Sequence, residues 1–386
     1  MEKFYKNNLK GEKTTVIVID KGFFNLDITD SGVTPTIHAP NKFSSLFNSN
    51  NPLIDSINPY FIEQLNQIQK EIKRQELSFA SKGLKLEIDW DSGELLSYSA
   101  KEGFTLSMHE YDALEAALRN YKETLDLVTS GHGMNVSSVI AGQNGIAPNA
   151  SIIPISTKSE SIENLALTTD NGSNAFSLVK ALFFAMSLAK TTKIDALNLS
   201  MDLNCDEDNE DCLLQYRLFA YLLSEAAKHS IVFFALDNEK NSYFGQSRGQ
   251  KILVNAAKSI AELYGYPRII FSVNLEEENA NLASGKAFLA ADLTLANIGN
   301  YHLPKLTNPA KTKLVKGTSF ASPANLAMFL LIKEAMLKHM KEVSDETVIK
   351  MIFAQTDHFY AGKLLPAGFY GSAFMNINKY ANFLEL

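Results

Sequence analysis

Short runs of apolar, β-branched residues recur along the chain, and stretches with helical patterning separate them. The runs lie at 14–19, 151–155, 194–200, 230–236 and 268–273. A continuous run of this kind is typical of a strand that is buried on both faces. The intervening stretches 174–190 and 212–229 have the apolar pattern of packed helices. This alternation predicts an α/β fold with a mainly parallel central sheet covered by helices on both faces.

Residues 48–130 interrupt this alternation. Apolar residues in 59–77 recur with the spacing of one helical face, and the residues around "DSG" at 91–93 alternate as in a β-hairpin. A second amphipathic helix is predicted over 107–128, opened by a capping box from Ser107 to Glu110. We therefore predict one domain over 1–386, interrupted by an α+β insertion at about 48–130.

Charge and composition narrow the class of protein. The net charge of −7 argues against nucleic acid as a partner, because phosphate binding needs a basic surface. No apolar run approaches the roughly 18 residues of a membrane span, so none is predicted. Cys205 and Cys212 would be able to pair across the acidic stretch between them, but two cysteines make no disulfide framework, and free thiols are the expectation.

The N-terminus contains lysines, but its apolar run is short and no small-residue cleavage site follows it. This pattern does not predict a secretory signal peptide. The expected location is the cytoplasm, or outside the cell by a route that needs no N-terminal signal.

Three polar residues stand at the edges of predicted elements. Asp20 ends the strand "TVIVID", His132 lies between two glycines where a helix is predicted to begin, and Ser319 begins another helix that contains Pro323. A serine hydroxyl becomes a good nucleophile when a histidine removes its proton and a carboxylate orients that histidine. Each residue also has a structural interpretation: Ser319 as a helix cap, His132 as a core histidine and Asp20 as a turn carboxylate.

The motifs around these residues resemble those of the subtilisin-like serine proteases, the subtilases. "GTSFASP" at 317–323 is similar to the family's "GTSMASP". "HGMNVSS" keeps His132 and Gly133 of "HGTHVAG" but not its second histidine, and "DKG" keeps Asp20 of "D-[ST]-G" but has Lys21. The order Asp, His, Ser is that of subtilisin. The resemblance implies a three-layer subtilisin-like fold with the insertion between the Asp and His motifs.

The resemblance also implies a role for each site residue. Ser319 would be the nucleophile, His132 the general base and Asp20 its orienting acid, and Asn238 with the Ser319 N–H would hold the oxyanion. Asp237 stands where the family has glycine, and a carboxylate beside an oxyanion is unfavourable. The predicted substrate-binding residues are Ser200, Met201 and Asp202 on one strand, and Ala235, Leu236 and Asp237 in the pocket wall.

The resemblance implies no cofactor. The segment from His132 to Pro148 is shorter than in secreted subtilases, so their calcium-binding loop is expected to be missing, and no metal site is predicted. The acidic stretch 202–211 has no EF-hand pattern. This stretch is either a solvated loop or a feature that favours basic substrates.

Three functions remain open. The first is a serine endopeptidase acting on proteins or peptides, with the insertion serving as a lid, an exosite or a contact for a partner or a second copy. The alternative is a subtilase-like pseudoenzyme that binds a peptide or partner protein without cleaving it, favoured by the altered histidine motif, Asp202 and Asp237. An esterase or acyl transferase on the same triad is a third hypothesis, although the "G-x-S-x-G" elbow of α/β-hydrolases is missing. The intact Ser319 motif favours the endopeptidase.

Overall fold

The computed structural model describes residues 1–20, 59–89, 94–101, 107–129, 132–142, 145–157, 175–201, 203, 210–238, 243–275, 286–305, 308–357, 359–360, 363–365, 371 and 374–385. Within these ranges the helices are α1 (Glu2–Lys6), α2 (Pro59–Lys82), α3 (Met108–Thr129), α4 (His132–Ile140), α5 (Ala175–Thr191), α6 (Glu210–Ala227), α7 (Arg248–Tyr264), a 3₁₀ helix (Phe288–Leu293), α8 (Thr318–His339), α9 (Asp345–Ala354) and α10 (Ile377–Phe383). The strands are β1 (Thr15–Asp20), β2 (Leu84–Asp89), β3 (Glu94–Ala100), β4 (Ser151–Ser156), β5 (Ala196–Leu199), β6 (Ile231–Ala235), β7 (Ile269–Leu275), β8 (Thr294–Ile298), β9 (Asn300–Lys305), β10 (Asn308–Lys316), β11 (Phe359–Tyr360) and β12 (Lys363–Leu364).

Six of the described strands form one sheet in the order β4-β1-β5-β6-β7-β8, and every neighbouring pair is parallel. This arrangement confirms the predicted α/β fold, and five strands coincide with the apolar runs of the sequence. The strand β8 was not predicted. Its sequence "TLANI" is short, and the polar residue before its last position interrupts the apolar run.

The two faces of this sheet follow the alternation of side chains along its strands. In β1, Ile17 and Ile19 point into a large apolar core that also contains residues of α5, α6 and α7. The opposite face is covered by α4, which contacts β1 and β4, and by α8, which contacts β5, β6, β7 and β8. The result is a three-layer helix–sheet–helix architecture with the core on both sides of the sheet.

The chain divides into two compact units. The first comprises Met1–Asn51, His132–Leu303 and Thr312–Leu386, and contains the parallel sheet. The second comprises Pro52–Gly131 and Pro304–Lys311. In the second unit β2 and β3 pair antiparallel, as the hairpin pattern predicted, and α2 and α3 pack around a small core centred on Ile72, Phe79, Leu84, Leu114 and Tyr121.

The predicted capping box at the start of α3 is confirmed. The Glu110 N–H donates to Ser107 Oγ at 3.2 Å, and the Ser107 N–H donates to Glu110 Oε2 at 3.2 Å. Hydrogen bonds from Lys82 and from Ser107 lower the pKa of Glu110 to about 2. The carboxylate therefore stays ionised and caps α3 while it also holds the end of α2.

Helix α8 is the longest helix of the first unit within the described chain and lies at its centre. By length and composition alone this helix would be able to cross a membrane, with a mean hydropathy of 1.3 over its most apolar window. Such a run was not predicted from the sequence. Of that window 89% is buried inside the protein. The helix therefore has the environment of a core helix.

Cys212 differs from the expectation. Its side chain is buried at the start of α6, and it is disulfide-bonded rather than a free thiol. The other cysteine of the sequence, Cys205, lies outside the described residues, as do Lys21 and the turn at 91–93. The prediction of two free thiols is wrong at Cys212.

Candidate active site

Asp20 lies at the carboxyl end of β1, between the ends of β4 and β5. The strand is buried throughout because it is central in the sheet, and Asp20 itself has no exposed surface. Its backbone carbonyl accepts a hydrogen bond from the Thr157 N–H at 2.9 Å. The alternation of β1 turns the Asp20 side chain away from Ile17 and Ile19, toward the face of the sheet that α4 and α8 cover.

His132 is the first residue of α4, and its ring meets the Asp20 carboxylate. The distance from His132 Nδ1 to Asp20 Oδ1 is 2.7 Å, and the His132 side chain is 30% exposed. An ionised carboxylate only accepts hydrogen bonds, so with Asp20 in that form the contact requires the imidazole proton on Nδ1, and in the neutral ring Nε2 is then an acceptor. On its other side the ring lies 5.5 Å from the ring of Phe320, the residue that follows Ser319.

Ser319 lies in the first turn of α8. The turn that precedes it contains Gly317 at φ 138°, a conformation that favours glycine. The Ser319 side chain is half-buried, and its hydroxyl donates to the carbonyl oxygen of Ser200 at 3.3 Å. No hydrogen bond joins it to His132 among the described residues.

Asn238 is exposed and follows β6 in the loop that faces this turn. Its Oδ1 accepts from the Thr318 N–H at 2.9 Å and lies 3.1 Å from Thr318 Oγ1, whose hydroxyl also donates to the Leu236 carbonyl. Because Oδ1 is engaged, the amide presents its Nδ2–H donors to other partners. A Cβ on Gly317 would lie 2.9 Å from Asn238 Oδ1, so glycine permits this close approach.

The start of α8 also leaves a backbone donor available. Thr318 donates its N–H to Asn238, and Phe320 donates to the Gly317 carbonyl at 3.0 Å. Within the part of the chain that the structure describes, the Ser319 N–H makes no hydrogen bond. This donor and the Asn238 Nδ2 flank the same turn, at a helix N-terminus whose dipole favours negative charge.

The predicted substrate-binding residues lie in different environments. Ser200 and Met201 follow β5, and the Met201 sulfur accepts a hydrogen bond from Thr157 Oγ1 at 3.4 Å. Ala235 ends β6, and Leu236 belongs to the apolar core with 3% exposure. Asp237 is half-buried, and Asp202 lies outside the described residues. The role of these residues in binding stays a prediction.

The structure adds residues to the site that the sequence analysis did not identify. The buried side chain of Asn198 donates from Nδ2 to Ser200 Oγ at 2.8 Å, and its Oδ1 accepts from Ser322 Oγ at 2.9 Å. An asparagine inside the otherwise apolar strand "ALNL" is a signal that could have identified Asn198. A buried polar side chain needs hydrogen-bond partners, and those partners are generally found at a nearby polar site.

No group of three or more His, Cys, Asp or Glu residues able to hold a metal ion occurs among the described residues. The expectation that the family's calcium-binding loop is missing stays a prediction.

Comparison with known proteins identifies the family. The model of the Subtilase family (Peptidase_S8) matches residues 11–357. The chain therefore belongs to the subtilase family, and its enzyme class is that of serine-type peptidases. No curated protein matches this sequence.

Solved structures with a similar fold include the PatG macrocyclase in complex with a peptide, with a TM-score of 0.53, 12% identity, and coverage of 99% of this chain and 94% of that chain. The patellamide maturation protease PatG has a TM-score of 0.53 and 12% identity over 99% of this chain and 95% of that chain. At this identity the likeness establishes the fold alone.

Proposed function

We propose that this chain is a serine endopeptidase whose catalytic triad is Asp20, His132 and Ser319. The observation that carries the proposal is the 2.7 Å contact between His132 Nδ1 and the fully buried Asp20, beside the turn that presents Ser319. A buried carboxylate on Nδ1 holds the tautomer that has a free Nε2, which is the form of the imidazole that accepts a proton from a nucleophile.

The reaction begins when the Ser319 hydroxyl leaves the Ser200 carbonyl and turns toward His132. As the Ser319 Oγ–carbon bond to a peptide carbonyl forms, the hydroxyl proton passes to His132 Nε2. The carbon–nitrogen bond then breaks, and His132 returns the proton to the leaving amine. Water hydrolyses the acyl-enzyme by the same steps, with His132 again as the base.

The Ser319 N–H and Asn238 Nδ2 hold the oxyanion in this proposal. Support comes from the orientation of the Asn238 amide, whose Oδ1 is engaged by Thr318. A donor fixed before the reaction is worth more than one that must reorganise, and loss of one such donor typically costs about 10²–10³ in rate. Asp237 is half-buried beside this residue, so it is the feature that weighs against the oxyanion site.

The proposed substrate is an extended protein or peptide. The family is one of peptidases, and PatG, which shares the fold, is described as a macrocyclase in complex with a peptide. Ser200, which follows β5, contacts Ser319 through its carbonyl, and in this proposal the peptide passes along Ser200 and Met201. The insertion at 48–130 would supply further contacts to a substrate or a second copy of the chain.

One observation favours the pseudoenzyme hypothesis. The Ser319 hydroxyl is hydrogen-bonded to the Ser200 carbonyl rather than to His132. Rotation of a serine side chain takes picoseconds to nanoseconds, and catalytic hydrogen bonds are often long or misaligned without substrate. The endopeptidase is therefore the better-supported function.

Covalent labelling by a fluorophosphonate tests the proposal. The adduct is located by mass spectrometry in the parent protein, in Ser319→Ala and in His132→Ala. Ser187→Ala is the matched control, because Ser187 is a helical serine that is half-buried like Ser319, and its hydroxyl donates to the Phe183 carbonyl at 2.9 Å. We expect labelling at Ser319 that is lost in the first two variants and kept in the control.

A folded parent protein that takes up no label would overturn the proposal and leave the pseudoenzyme. If the protein is labelled, digestion of a mixed peptide library separates the remaining hypotheses. Internal cleavage indicates an endopeptidase, whereas hydrolysis of small esters without peptide cleavage indicates an esterase.

A further inference from the structure

Pro323 lies within α8 and leaves the carbonyl of the nucleophile without its helical partner. In an α-helix each carbonyl accepts from the N–H four residues later, so the Ser319 carbonyl would receive the N–H of residue 323. Proline has no N–H. In the structure the Ser319 carbonyl accepts instead from the hydroxyl of Ser200, at 2.8 Å. A side chain beyond the end of β5 thus replaces the missing donor on the backbone of Ser319.

The donors and acceptors around Ser200 determine the direction of its hydrogen bonds. A carbonyl only accepts, so the Ser200 hydroxyl hydrogen is committed to the Ser319 carbonyl. Its oxygen must then accept from Asn198, which requires Nδ2 of Asn198 at 2.8 Å. The Oδ1 atom of Asn198 accordingly faces Ser322, whose hydroxyl donates to it at 2.9 Å. Asn198 therefore orients the hydroxyl of Ser200.

We propose that Ser200 and Asn198 are positioning residues that hold the first turn of α8, and with it Ser319, against β5. This role rests on the proposed function. The two residues secure the turn at two points, the Ser319 carbonyl and the Ser322 hydroxyl. The side chains of this network are shielded from water, since Asn198 and Ser322 have no exposed surface and Ser200 is 5% exposed. In such an environment a hydrogen bond is strong and its loss is costly.

A shift of the first turn would change reactivity more than it changes the fold. Misplacement of a reacting group by about 1 Å can cost about 10²-fold in rate. The remainder of α8 is held by its own apolar packing, because Phe329, Leu330 and Leu331 are fully buried. Loss of the link at Ser200 therefore moves Ser319 without removing α8 from the core.

The test measures the second-order rate constant of fluorophosphonate labelling at Ser319 as a function of pH. Ser200→Ala removes the donor to the Ser319 carbonyl. Asn198→Asp keeps the shape of the side chain, but an ionised carboxylate only accepts. The Ser200 hydroxyl then turns to donate to residue 198 and releases the Ser319 carbonyl. Each variant is expected to label about 10- to 100-fold more slowly on the pH plateau, with an unchanged pH midpoint.

The double variant Asn198→Asp/Ser200→Ala shows whether the two residues act through one shared hydrogen bond or independently of each other. Because both changes remove the same hydrogen bond, the double variant is expected to label about as slowly as the slower single variant. Asn325→Asp is the matched control. Asn325 is equally buried one turn further along α8, where its Nδ2 donates to Ser272 Oγ at 3.0 Å and its Oδ1 accepts from Asn297 at 2.8 Å. Its labelling rate below its melting temperature is expected to match the parent.

Pro323→Ala keeps the test decisive if Ser200→Ala does not fold. It restores an N–H to the helix, so the Ser319 carbonyl has a donor in Ser200→Ala/Pro323→Ala, and this double variant is expected to fold. The link to β5 is still missing, so slow labelling is expected in this variant, while Pro323→Ala alone labels like the parent.

Parent-like rates in folded Ser200→Ala and Asn198→Asp, or rate losses that multiply in their double variant, would overturn the positioning role alone. A shifted pH midpoint would overturn it too, because the variants would then act on His132. Absence of labelling in the parent protein would overturn the proposed function and this role together.

Discussion

The face of the sheet that packs on α5, α6 and α7 is apolar, whereas the face toward α8 has polar side chains near the carboxyl ends of its strands. The apolar face presents residues such as Ile19, Leu199, Phe234 and Phe271. The polar side chains of the other face are Asp20, Asn198, Ser272, Asn274 and Asn297, each at most 2% exposed.

The two faces differ in whether their interactions are directional. Apolar contacts are non-directional and scale with buried area, so they stabilise the fold without fixing the position of one atom. Buried hydrogen bonds impose a geometry, because each donor must meet an acceptor. The polar face therefore sets where the first turn of α8 lies, and the apolar face supplies stability.

Asp20→Asn should show the largest effect on reactivity. An asparagine keeps the shape of the side chain but can hold His132 in the wrong tautomer, which leaves no acceptor on Nε2. We expect kcat/KM to fall by about 10⁴-fold, equivalent to about 5.5 kcal/mol, with a small change in Tm. Peptide cleavage and thermal melting measure the two quantities. A loss of less than tenfold would contradict the role of Asp20.

Lys333→Met changes a buried charge in α8 on the side of the protein away from Ser319. Lys333 Nζ lies 2.8 Å from Asp195 Oδ1 and 2.7 Å from Asp345 Oδ1. Removing one partner leaves Asp195 buried and uncompensated, so the free energy of unfolding should fall by about 3–5 kcal/mol. Chemical denaturation measures this, and a labelling rate at Ser319 that matches the parent is the control.

The same site predicts a dependence of stability on pH. Burial alone would lower the pKa of Lys333, but the charges of Asp195 and Asp345 outweigh it and raise the pKa above 10.5. A raised pKa stabilises the folded state below pH 10.5, and this contribution is lost as the pH rises through the folded value. The stability gap between parent and Lys333→Met should therefore narrow above that pH. A constant gap would contradict the pairing.

Phe271→Ala tests the apolar face. The ring is fully buried and lies 5.8 Å from the ring of Phe234 and 5.1 Å from that of Phe244. Its removal leaves a cavity and should cost about 3–5 kcal/mol of unfolding free energy. The labelling rate of the folded variant should stay near that of the parent. If the labelling rate fell by as large a factor as kcat/KM is expected to fall in Asp20→Asn, the division of roles between the two faces would be wrong.

Asn238→Ala should have the smallest of these effects. Loss of the Nδ2 donor is expected to lower kcat by about 10²–10³-fold, equivalent to about 2.7–4 kcal/mol, with KM nearly unchanged. The substitution also removes the acceptor of the Thr318 N–H, and Thr318 is fully buried, so the free energy of unfolding should fall by about 1–3 kcal/mol. Steady-state kinetics on a peptide substrate measures both constants. A change confined to KM would assign Asn238 to substrate binding instead.

The elements that could be predicted are those with a strong local pattern. Five buried strands and the helices α2, α3, α5 and α6 were predicted within a few residues, because each has an apolar period or run of its own. The strand β8 was missed because it contains polar Asn297, which is paired in the structure with Asn325 at 2.8 Å. A short strand with a buried polar residue has no distinct pattern in the sequence.

The residues of the candidate site also divide into those that the sequence identifies and those whose contacts only the structure shows. Asp20, His132 and Ser319 could be selected from the sequence because each stands at the edge of an element in a recognisable motif. Ser200 was predicted as a substrate-binding residue and Asn198 was not identified, and the hydrogen bonds of both to the first turn of α8 could not be predicted, because they connect residues 119 and 124 positions apart. Similarly, only the folded chain shows that the side chain of Leu236 belongs to the apolar core, while its predicted place in a pocket wall stays a prediction.

The sequence by itself determined the α/β class, the family and the order of the three candidate catalytic residues, because local periodicity and short motifs are written in consecutive residues. The tertiary structure decided which atoms meet: the contact of His132 with Asp20, the orientation of the Asn238 amide, and the hydroxyl of Ser200 on the carbonyl that Pro323 leaves without a helical donor. These depend on the register of parallel strands and on the packing of α8 against them, which bring distant residues to within hydrogen-bond distance.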